Sequence, residues 1–248
     1  MLTNGGNMIS IVLPTYNEKE NITNLIEQIE SVVKRQNLKS EIVVVDDNSP
    51  DGTADAVAKL KKKYKNIKIF IREEKLGIGS AHFFGYHKAN GEIIIAMDTD
   101  LSHDPNQIVD MINKINEGYD IVAGSRHIKG SYYETTSPET KRKYIASKFG
   151  NMLTTFVSRV PIHDFTNGFR AIRKKVVENV KTESTGNSFL MEFIIKAHRK
   201  GYKVTEIPVT FKDRMVGKSK LQLEKEAWKY LRDLLKYSMT LKVPAQKG

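Results

Sequence analysis

The segment EIIIAMDTD, residues 92–100, joins an apolar run to a pair of aspartates, Asp98 and Asp100. Its apolar part, 93–97, is the longest uninterrupted apolar run in the chain, and it is far shorter than the roughly 20 residues that a membrane span needs. A short run of this kind predicts a buried strand. Because alternate residues of an extended segment point to the same side, both carboxylates are predicted to lie together where that strand ends.

Strands and helices alternate on both sides of this segment. Short apolar runs predict strands at 9–13, 41–45, 67–71, 92–97 and 121–123. Helical apolar stripes predict helices at 18–34, 53–64, 78–88 and 106–115. This spacing implies βαβ units, and therefore a Rossmann-like α/β fold with a mostly parallel sheet that helices cover on both faces.

The chain beyond Gly124 is less regular. A polar loop is predicted at 131–138 and a loop rich in cations at 212–220. Further strands are predicted at 169–172 and 204–211, and Pro208 indicates that the second of these lies at an edge of the sheet. Further helices are predicted at 144–157, 191–199 and 223–241, and the last of these is amphipathic.

Composition narrows the class of protein. The 248 residues include 40 Lys and Arg against 29 Asp and Glu, for a formal net charge of +11, and no Cys. The absence of Cys excludes disulfides, iron–sulfur clusters, thiolate zinc sites and cysteine nucleophiles. The positive charge indicates an anionic partner, which is a nucleotide, a nucleic acid or a phospholipid surface. We expect no signal peptide in residues 1–7, and a chain that is soluble or lies on a membrane.

Carboxylates follow three of the predicted strands. Parallel strands end at one edge of a sheet, so we expect this group to gather there: Glu18, Asp46, Asp47, Asp98 and Asp100. Like charges repel, and a divalent cation is the simplest compensation; hard carboxylate oxygens favour Mg²⁺ or Mn²⁺ over zinc. Helix capping is the alternative role of an aspartate near a helix start, and we expect it for Asp51 and Asp104.

Two phosphate-binding motifs can be set aside. The chain has no Walker-A sequence, which argues against a P-loop NTPase. Residues 76–80, LGIGS, resemble part of a dinucleotide fingerprint, but they follow the third predicted strand and lack the third glycine. A turn that lets the next helix pack closely on the sheet explains these glycines better.

Taken together, the motifs resemble those of the family-2 inverting nucleotide-sugar glycosyltransferases, which have the GT-A fold. Within that family they are most similar to the dolichyl-phosphate and polyprenyl-phosphate mannose synthases, over residues 9–221. The motifs that carry the resemblance are LPTYNE at 13–18, DDNSPDGT at 46–53, LGIG at 76–79, DTDLSH at 98–103, GSR at 124–126, DFTNGFR at 164–170, and DR at 213–214 followed by GKSKL at 217–221.

The resemblance implies a role for each matching residue. The guanine and ribose contacts would be Pro14, Tyr16, Glu18, Val45 and Asp47. Asp98 and Asp100 would bind the metal, with the Thr99 backbone beside the diphosphate. The diphosphate or acceptor-phosphate contacts would be Arg126, Arg214 and Lys220. Arg142 and Ser147 would help with the acceptor, and Asp164 would orient it or act as base. The departures are Thr99, where Ala is commoner, Ser102, where some relatives place a metal-binding Gln, and Asn167, where Ser or Thr is usual.

The function so implied is inverting transfer of mannose from GDP-mannose to a dolichyl or polyprenyl phosphate, for use in glycosylation. The catalytic residues would be Asp100, Asp164 and Arg126. An acceptor phosphate is already anionic at neutral pH, because its second pKa is about 6, so a strong general base is dispensable. One alternative is transfer of glucose from UDP-glucose to the same acceptor. A non-catalytic nucleotide-binding or nucleic-acid-binding protein is the alternative from another class.

The resemblance and the composition also predict the organisation and location of the chain. We expect an extension at 1–7, a catalytic domain at 8–221 and an amphipathic helical segment at 222–248. That last helix either lies at an anionic membrane interface or packs as an ordinary terminal helix. The protein would work at the cytoplasmic face of a membrane as a peripheral enzyme, with a membrane-spanning partner subunit as a further expectation and no nucleic-acid partner.

Overall fold

The computed structural model describes residues 7–134, 137–212 and 223–239, with only the backbone of 223–227 and 239. The strands in these ranges are β1 (Ile9–Thr15), β2 (Ser40–Asp46), β3 (Ile67–Ile71), β4 (Ile93–Ala96), β5 (Ile121–Ser125), β6 (Tyr132–Tyr133), β7 (Arg170–Arg173), β8 (Val204–Pro208) and β9 (Thr210–Phe211). The helices are α1 (Lys19–Arg35), α2 (Thr53–Lys63), α3 (Ile78–Lys88), α4 (Ile108–Asn116), α5 (Pro138–Ser158), α6 (Lys174–Asn179), α7 (Ser188–Arg199) and α8 (Leu223–Met239), and a 3₁₀ turn at Pro105–Gln107 precedes α4.

Seven of these strands form one mixed sheet in the order β3-β2-β1-β4-β7-β5-β8. β7 runs antiparallel to both of its neighbours, and the other pairings are parallel. β6 and β9 pair in a separate short ribbon. The predicted α/β class with a mostly parallel, helix-flanked sheet is thereby confirmed, and β8 with Pro208 lies at the edge as predicted.

The sheet separates two apolar cores because successive strand residues point to opposite faces. Val12 and Val43 belong to one core, which includes residues of α3 and α7. Ile11 and Ile42 belong to the other, which includes residues of α1, α2 and α4. Burial on both faces explains why the central strands are continuously apolar.

Several element boundaries differ from the sequence-based predictions. α5 begins six residues earlier than predicted, at Pro138, because Ser137 accepts a hydrogen bond from the Thr140 N–H (3.1 Å) as its N-cap. The loop predicted at 131–138 contains β6, and the single strand predicted at 204–211 is divided between β8 and β9. α6 was missed, as an element of only six residues offers little periodicity.

The glycines at the start of α3 act differently from the prediction. Gly77 makes the turn with a φ of +96°, but a Cβ on Gly79 would lie 2.5 Å from the Phe189 Cβ of α7 rather than against the sheet. It is Gly85 that faces strand residues Val12 and Val45. The prediction of close packing on the sheet was therefore wrong for Gly79, whose neighbour is the start of α7.

Within the described part of the chain, the helices are all too short or too polar to cross a membrane. α8 packs against α5 and α7. Its Tyr230 hydroxyl lies 3.0 Å from the Thr154 Oγ1 of α5, and its Leu234 and Tyr237 side chains are buried. Trp228 and Leu235 on the same helix remain exposed.

Candidate active site

A cleft of about 1110 Å³ opens at the carboxyl ends of β1, β2 and β4. The sequence-predicted residues that line it are Pro14, Tyr16, Glu18, Asp47, Asp98, Thr99, Asp100 and Arg126. The remaining predicted residues lie elsewhere: Val45, Arg142, Ser147 and Asp164 are outside the lining, and Arg214 and Lys220 are outside the described residues. The structure thus brings eight predicted residues to one surface.

The ends of β1 and β2 are tied together by a buried carboxylate. Asp46 accepts hydrogen bonds from the Thr15 hydroxyl (2.8 Å) and from the N–H and hydroxyl of Ser49 (2.8 and 2.6 Å). Its side chain is fully buried, and it does not line the cleft. The expectation that five carboxylates share the rim was therefore wrong for Asp46, which instead fixes the turn after β2.

The loop after β1 is held by the start of α2. Asp51 accepts hydrogen bonds from the Lys19 N–H (3.1 Å) and the Thr53 N–H (2.9 Å), and the Thr53 hydroxyl accepts from the Glu18 N–H (3.0 Å). The N-cap residue of α2 is Gly52, so Asp51 bonds the first N–H of the helix from one position before the cap. Asp104 likewise accepts from the Asn106 N–H at the 3₁₀ turn, as expected.

Asp47 is held by an arginine that the sequence-based prediction missed. The Arg72 Nε and Nη2 lie 2.6 and 2.5 Å from the Asp47 Oδ1, and both side chains are buried. Burial raises the pKa of Asp47, although the charge and hydrogen bonds of Arg72 oppose this. Arg72 also donates to the Ser80 hydroxyl (2.6 Å), so it links the end of β2 to the first turn of α3.

The acidic pair sits at the centre of the cleft. Asp98 retains 34% exposure of its side chain, and its Oδ2 lies 3.7 Å from the buried His103 Nε2. Asp100 is nearly buried and accepts from the Ser102 N–H (3.2 Å) and hydroxyl (2.5 Å). Thr99 between them donates its hydroxyl to the Pro14 carbonyl (2.9 Å), which fixes the pair against the end of β1.

The Asp98 carboxylate occupies the space that a side chain at residue 168 would need. A Cβ at this position would lie 2.5 Å from the Asp98 Oδ1 and 2.8 Å from its Oδ2. Any side chain at residue 168 would displace the carboxylate, so the segment 164–170 and the acidic pair form one unit. The same closeness shows why Gly follows Asn167 here.

Arg126 also lines the cleft and is held by a fully buried carboxylate, Asp164. Its Nε donates to the Asp164 Oδ2 (2.7 Å) and its Nη2 to the Asp164 Oδ1 (2.9 Å), and its backbone N–H also donates to Oδ2 (3.1 Å). Burial alone would raise the pKa of Asp164, but the charge and hydrogen bonds of Arg126 hold it well below its usual range. Asp164 therefore stays ionised, and it contacts Arg126 instead of the cleft.

A network of polar side chains supports this ion pair from α5. The Asn151 amide donates to the Thr166 hydroxyl (3.2 Å), and its carbonyl accepts from the Phe165 N–H (2.7 Å). Ser147 lies within this network, 3.5 Å from the Thr166 hydroxyl and 3.4 Å from the His127 Nε2. Arg142, one helical turn and more before it, is exposed.

Arg170 holds the backbone of the same segment together. Its guanidinium is fully buried and donates to the carbonyls of Asn167 (2.9 Å), Phe165 (2.5 Å) and Leu190 (2.5 Å). Burial lowers its pKa to about 10, so it still carries a charge at neutral pH. Arg170 belongs to the motif at 164–170 that the sequence analysis identified. Its role could not be predicted, because its partners are backbone carbonyls and the pattern of side chains does not show them.

Val45 belongs to the core. Its side chain is completely buried and faces Gly85 of α3. Its predicted nucleotide contact stays a prediction. In the described part of the chain, no three His, Cys, Asp or Glu side chains lie close enough together to hold a metal ion by themselves.

The sequence model that defines the family Glycosyl transferase family 2 matches residues 10–181 of this chain. A dolichol-phosphate mannosyltransferase of Pyrococcus furiosus is 39% identical over 229 residues, which are 91% of this chain and 62% of the relative. A polyprenol monophosphomannose synthase of Mycolicibacterium smegmatis is 31% identical over 218 residues, 85% of this chain and 80% of the relative.

A solved structure shares the fold. It is that of a mannosyltransferase from Pyrobaculum calidifontis in complex with GDP-Man and Mn²⁺, with a TM-score of 0.68, 20% identity, and coverage of 95% of this chain and 65% of that chain. The chain thus spans less than two thirds of the Pyrococcus relative and of this structure. Because the family model covers more than half of its residues, the chain belongs to glycosyl transferase family 2.

Proposed function

We propose that this chain transfers mannose from GDP-mannose, with inversion, to a dolichyl or polyprenyl phosphate. The observation that carries the proposal is one cleft lined both by the acidic pair, Asp98 and Asp100, and by Arg126, which is bonded to its buried partner Asp164. The names of the two curated relatives support mannose transfer to a polyprenyl phosphate. The catalytic domain would comprise residues 8–221, with 222–248 as the helical segment that follows.

The charge of the cleft favours a divalent metal. Its described lining holds six carboxylates against three cations. Outside the lining, Asp164 pairs with Arg126 and Arg72 pairs with Asp47, so these two ion pairs leave the excess of carboxylates unchanged. A nucleoside diphosphate brings further negative charge, so Mg²⁺ or Mn²⁺ on Asp98 and Asp100 fits the donor set, with the other ligands from water and phosphate oxygens. Such a metal, when bound, stabilises the charge that develops on the departing nucleoside diphosphate. The Pyrobaculum structure contains Mn²⁺.

The protein side chains would orient the two substrates. Pro14, Tyr16, Glu18 and Asp47 line the part of the cleft at the ends of β1 and β2 and would contact guanine and ribose; Val45 would act through its backbone. The Thr99 backbone would lie beside the diphosphate. Arg126 would contact the diphosphate or the acceptor phosphate, a preorganised charge of the kind that lowers reaction barriers.

The acceptor contacts form a second set. Asp164 is bonded to Arg126 and shielded from the cleft, which favours an orienting role over that of base. Ser147 reaches Arg126 through Thr166, and Arg142 would attract the acceptor phosphate. Lys212 donates its N–H to the Ser102 carbonyl (2.9 Å), and this anchors the chain beside the acidic pair just before Arg214. Arg214 and Lys220 remain proposed phosphate contacts.

The test is transfer of labelled mannose from GDP-mannose to a short polyprenyl phosphate with Mg²⁺ or Mn²⁺. We expect Asp100→Asn to lose about a hundredfold or more of this activity, since it removes a metal ligand. Asp104→Asn is the matched control, because Asp104 caps the 3₁₀ turn and should keep near-wild-type turnover.

Other outcomes would point elsewhere. Equal turnover by Asp100→Asn and wild type would contradict the proposed metal site. Transfer from UDP-glucose but not GDP-mannose would replace the donor and keep the mechanism. Binding of nucleotides or nucleic acid without transfer from any donor would identify a binding protein. We place the enzyme peripherally at the cytoplasmic face of a membrane, and a membrane-spanning partner remains part of the proposal.

A further inference from the structure

Helix α5 buries polar residues most deeply and exposes large apolar side chains, although its Leu153 and Val157 pack against the core. A surface helix ordinarily turns apolar residues inward and polar residues outward. The buried residues of α5 are all polar: Thr140, Asn151, Thr154 and Ser158. Four large apolar residues of α5 are exposed: Ile145 (57% exposed), Phe149 (65%), Met152 (61%) and Phe156 (82%).

These four exposed residues form one continuous surface, which we call the α5 stripe. They are separated by four, three and four positions, the spacing that aligns side chains along one side of a helix. Exposed apolar residues that are scattered singly need no explanation, but a contiguous patch of large side chains marks an interaction site. The α5 stripe therefore indicates a surface that is covered when the protein works.

Cations flank the α5 stripe. Lys141, Arg142 and Lys148 are exposed on the same helix. Glu139 is the only acidic residue of α5, and it lies 2.7 Å from Lys143, which neutralises it. A helix with apolar side chains bordered by basic ones matches an anionic bilayer surface, where the apolar groups enter the acyl boundary and the cations meet headgroups.

Charge also argues against a second copy of this chain as the occupant. A two-fold contact through the α5 stripe would bring the same cations of both copies together. The net charge of +11 opposes that approach further.

The opposite side of α5 supports the candidate active site. Asn151 and Ser147 lie in the network with Thr166 behind Arg126 and Asp164. The helix thus separates the exposed apolar surface from the proposed acceptor-binding arginine by its own width, about 10 Å. A lipid whose tail lies in the bilayer would have its phosphate near that arginine.

We propose that the α5 stripe docks the protein on an anionic lipid bilayer. The proposal deepens the proposed function and rests on it for the identity of the acceptor. The sequence-based prediction left α8 open between an anionic membrane interface and an ordinary packed terminal helix. In the structure, α8 buries Leu234 and Tyr237 on its neighbours and exposes Trp228 and Leu235.

The test is flotation with vesicles of phosphatidylcholine and phosphatidylglycerol in equal parts, compared with phosphatidylcholine alone, without donor or acceptor. We expect the wild type to bind the anionic vesicles. The double variant Phe149→Gln with Phe156→Gln should bind about a hundredfold more weakly, roughly tenfold for each aromatic side chain removed. Ile71→Gln is the matched control, because Ile71 is 59% exposed at the far edge of the sheet and should bind like wild type.

Unchanged vesicle binding by the double variant would overturn the proposal, and so would absence of binding by the wild type. If only Trp228→Gln lost vesicle binding, α8 would be the docking helix, and the proposal for the α5 stripe would be overturned as well. Loss of self-association, without loss of vesicle binding, would identify a second copy as the occupant. The flotation assay contains no sugar donor, so it tests docking independently of catalysis. A protein that binds vesicles through the α5 stripe but transfers no mannose would refute the proposed function and leave the docking proposal standing.

Discussion

His82 lines the active-site cleft as an apolar aromatic side chain. It is fully buried, and neither ring nitrogen has a hydrogen-bond partner among the described residues. Its ring centroid lies 5.7 Å from that of Tyr86 and 6.2 Å from that of Phe189. Burial lowers its pKa from 6.5 to about 4, so the imidazole is neutral in the folded protein at neutral pH.

This burial makes stability depend on pH. Between pH 6.5 and 4 the unfolded chain binds a proton at His82 that the folded chain excludes, so the free energy of unfolding falls as pH is lowered. The loss from His82 between pH 7 and pH 5 is about 2 kcal/mol. We expect His82→Phe to remove this part of the pH dependence, measured by urea unfolding without metal or nucleotide. His87→Phe, at an exposed position of the same helix, should retain it, and an equal slope in both variants would refute the assignment.

Other residues show how far the site could be predicted. Asp98 and Asp100 follow a predicted strand, so residue type and position were enough to place them, whereas Arg126 was identified through the family resemblance. Arg72 was missed because its partner, Asp47, lies 25 residues away. The parallel register explains the pairing, since Asp46 of β2 opposes Ile71 of β3 and the next residues of each strand therefore meet.

Helix α3 depends on glycine for its packing against α7. A Cβ on Gly79 would lie 2.5 Å from the Phe189 Cβ and 2.6 Å from the Gly186 carbonyl oxygen. No heavy atom lies within 4 Å of the corresponding position on Gly150 of α5. A side chain at residue 79 would therefore clash with its neighbours, whereas one at residue 150 would not.

We expect Gly79→Ala to lower the free energy of unfolding by about 1–3 kcal/mol, because the new methyl group overlaps α7 and its preceding loop. Gly150→Ala should raise it by about 0.5–1 kcal/mol, since alanine is the better helix former and meets nothing. Denaturant unfolding of both variants measures these changes. Tolerance of alanine at residue 79 would show that α3 and α7 can separate without cost.

The elements were predicted where one physical signal dominated. The buried parallel strands are continuously apolar, and α1 and α4 have apolar stripes, so both kinds were found. The start of α5 was missed because the buried residue of its first turn is the polar Thr140, which gives no apolar signal. The antiparallel direction of β7 could not be predicted, since the apolar run at 169–172 carries no information about direction.

The distribution of charge over the molecule contrasts with its total. The net charge is +11, but the described cleft lining has twice as many carboxylates as cations. The carboxylates attract a divalent cation, and the bound cation in turn attracts phosphate. Discrimination for a diphosphate over a neutral nucleoside should therefore depend on the cation.

Calorimetry with GDP and guanosine tests this dependence. With Mn²⁺ present we expect GDP to bind at least about tenfold more tightly than guanosine. In a chelator, GDP should lose that advantage, because its phosphates then face uncompensated carboxylates. The same preference for GDP in both conditions would contradict a metal-mediated site and indicate that arginine and lysine bind the diphosphate.

The position of β7 has a consequence for synthesis on the ribosome. β7 pairs with β4, yet β4 ends at Ala96 and β7 begins at Arg170. A nascent chain that has emerged beyond β4, but not yet to residue 170, exposes an apolar strand edge with unpaired backbone groups. Such edges are sites of aggregation and of chaperone binding. The speed of translation between β4 and β7 therefore affects the yield of native protein. β5 is also synthesised before its partner β7, so it joins the sheet only after β7 has emerged.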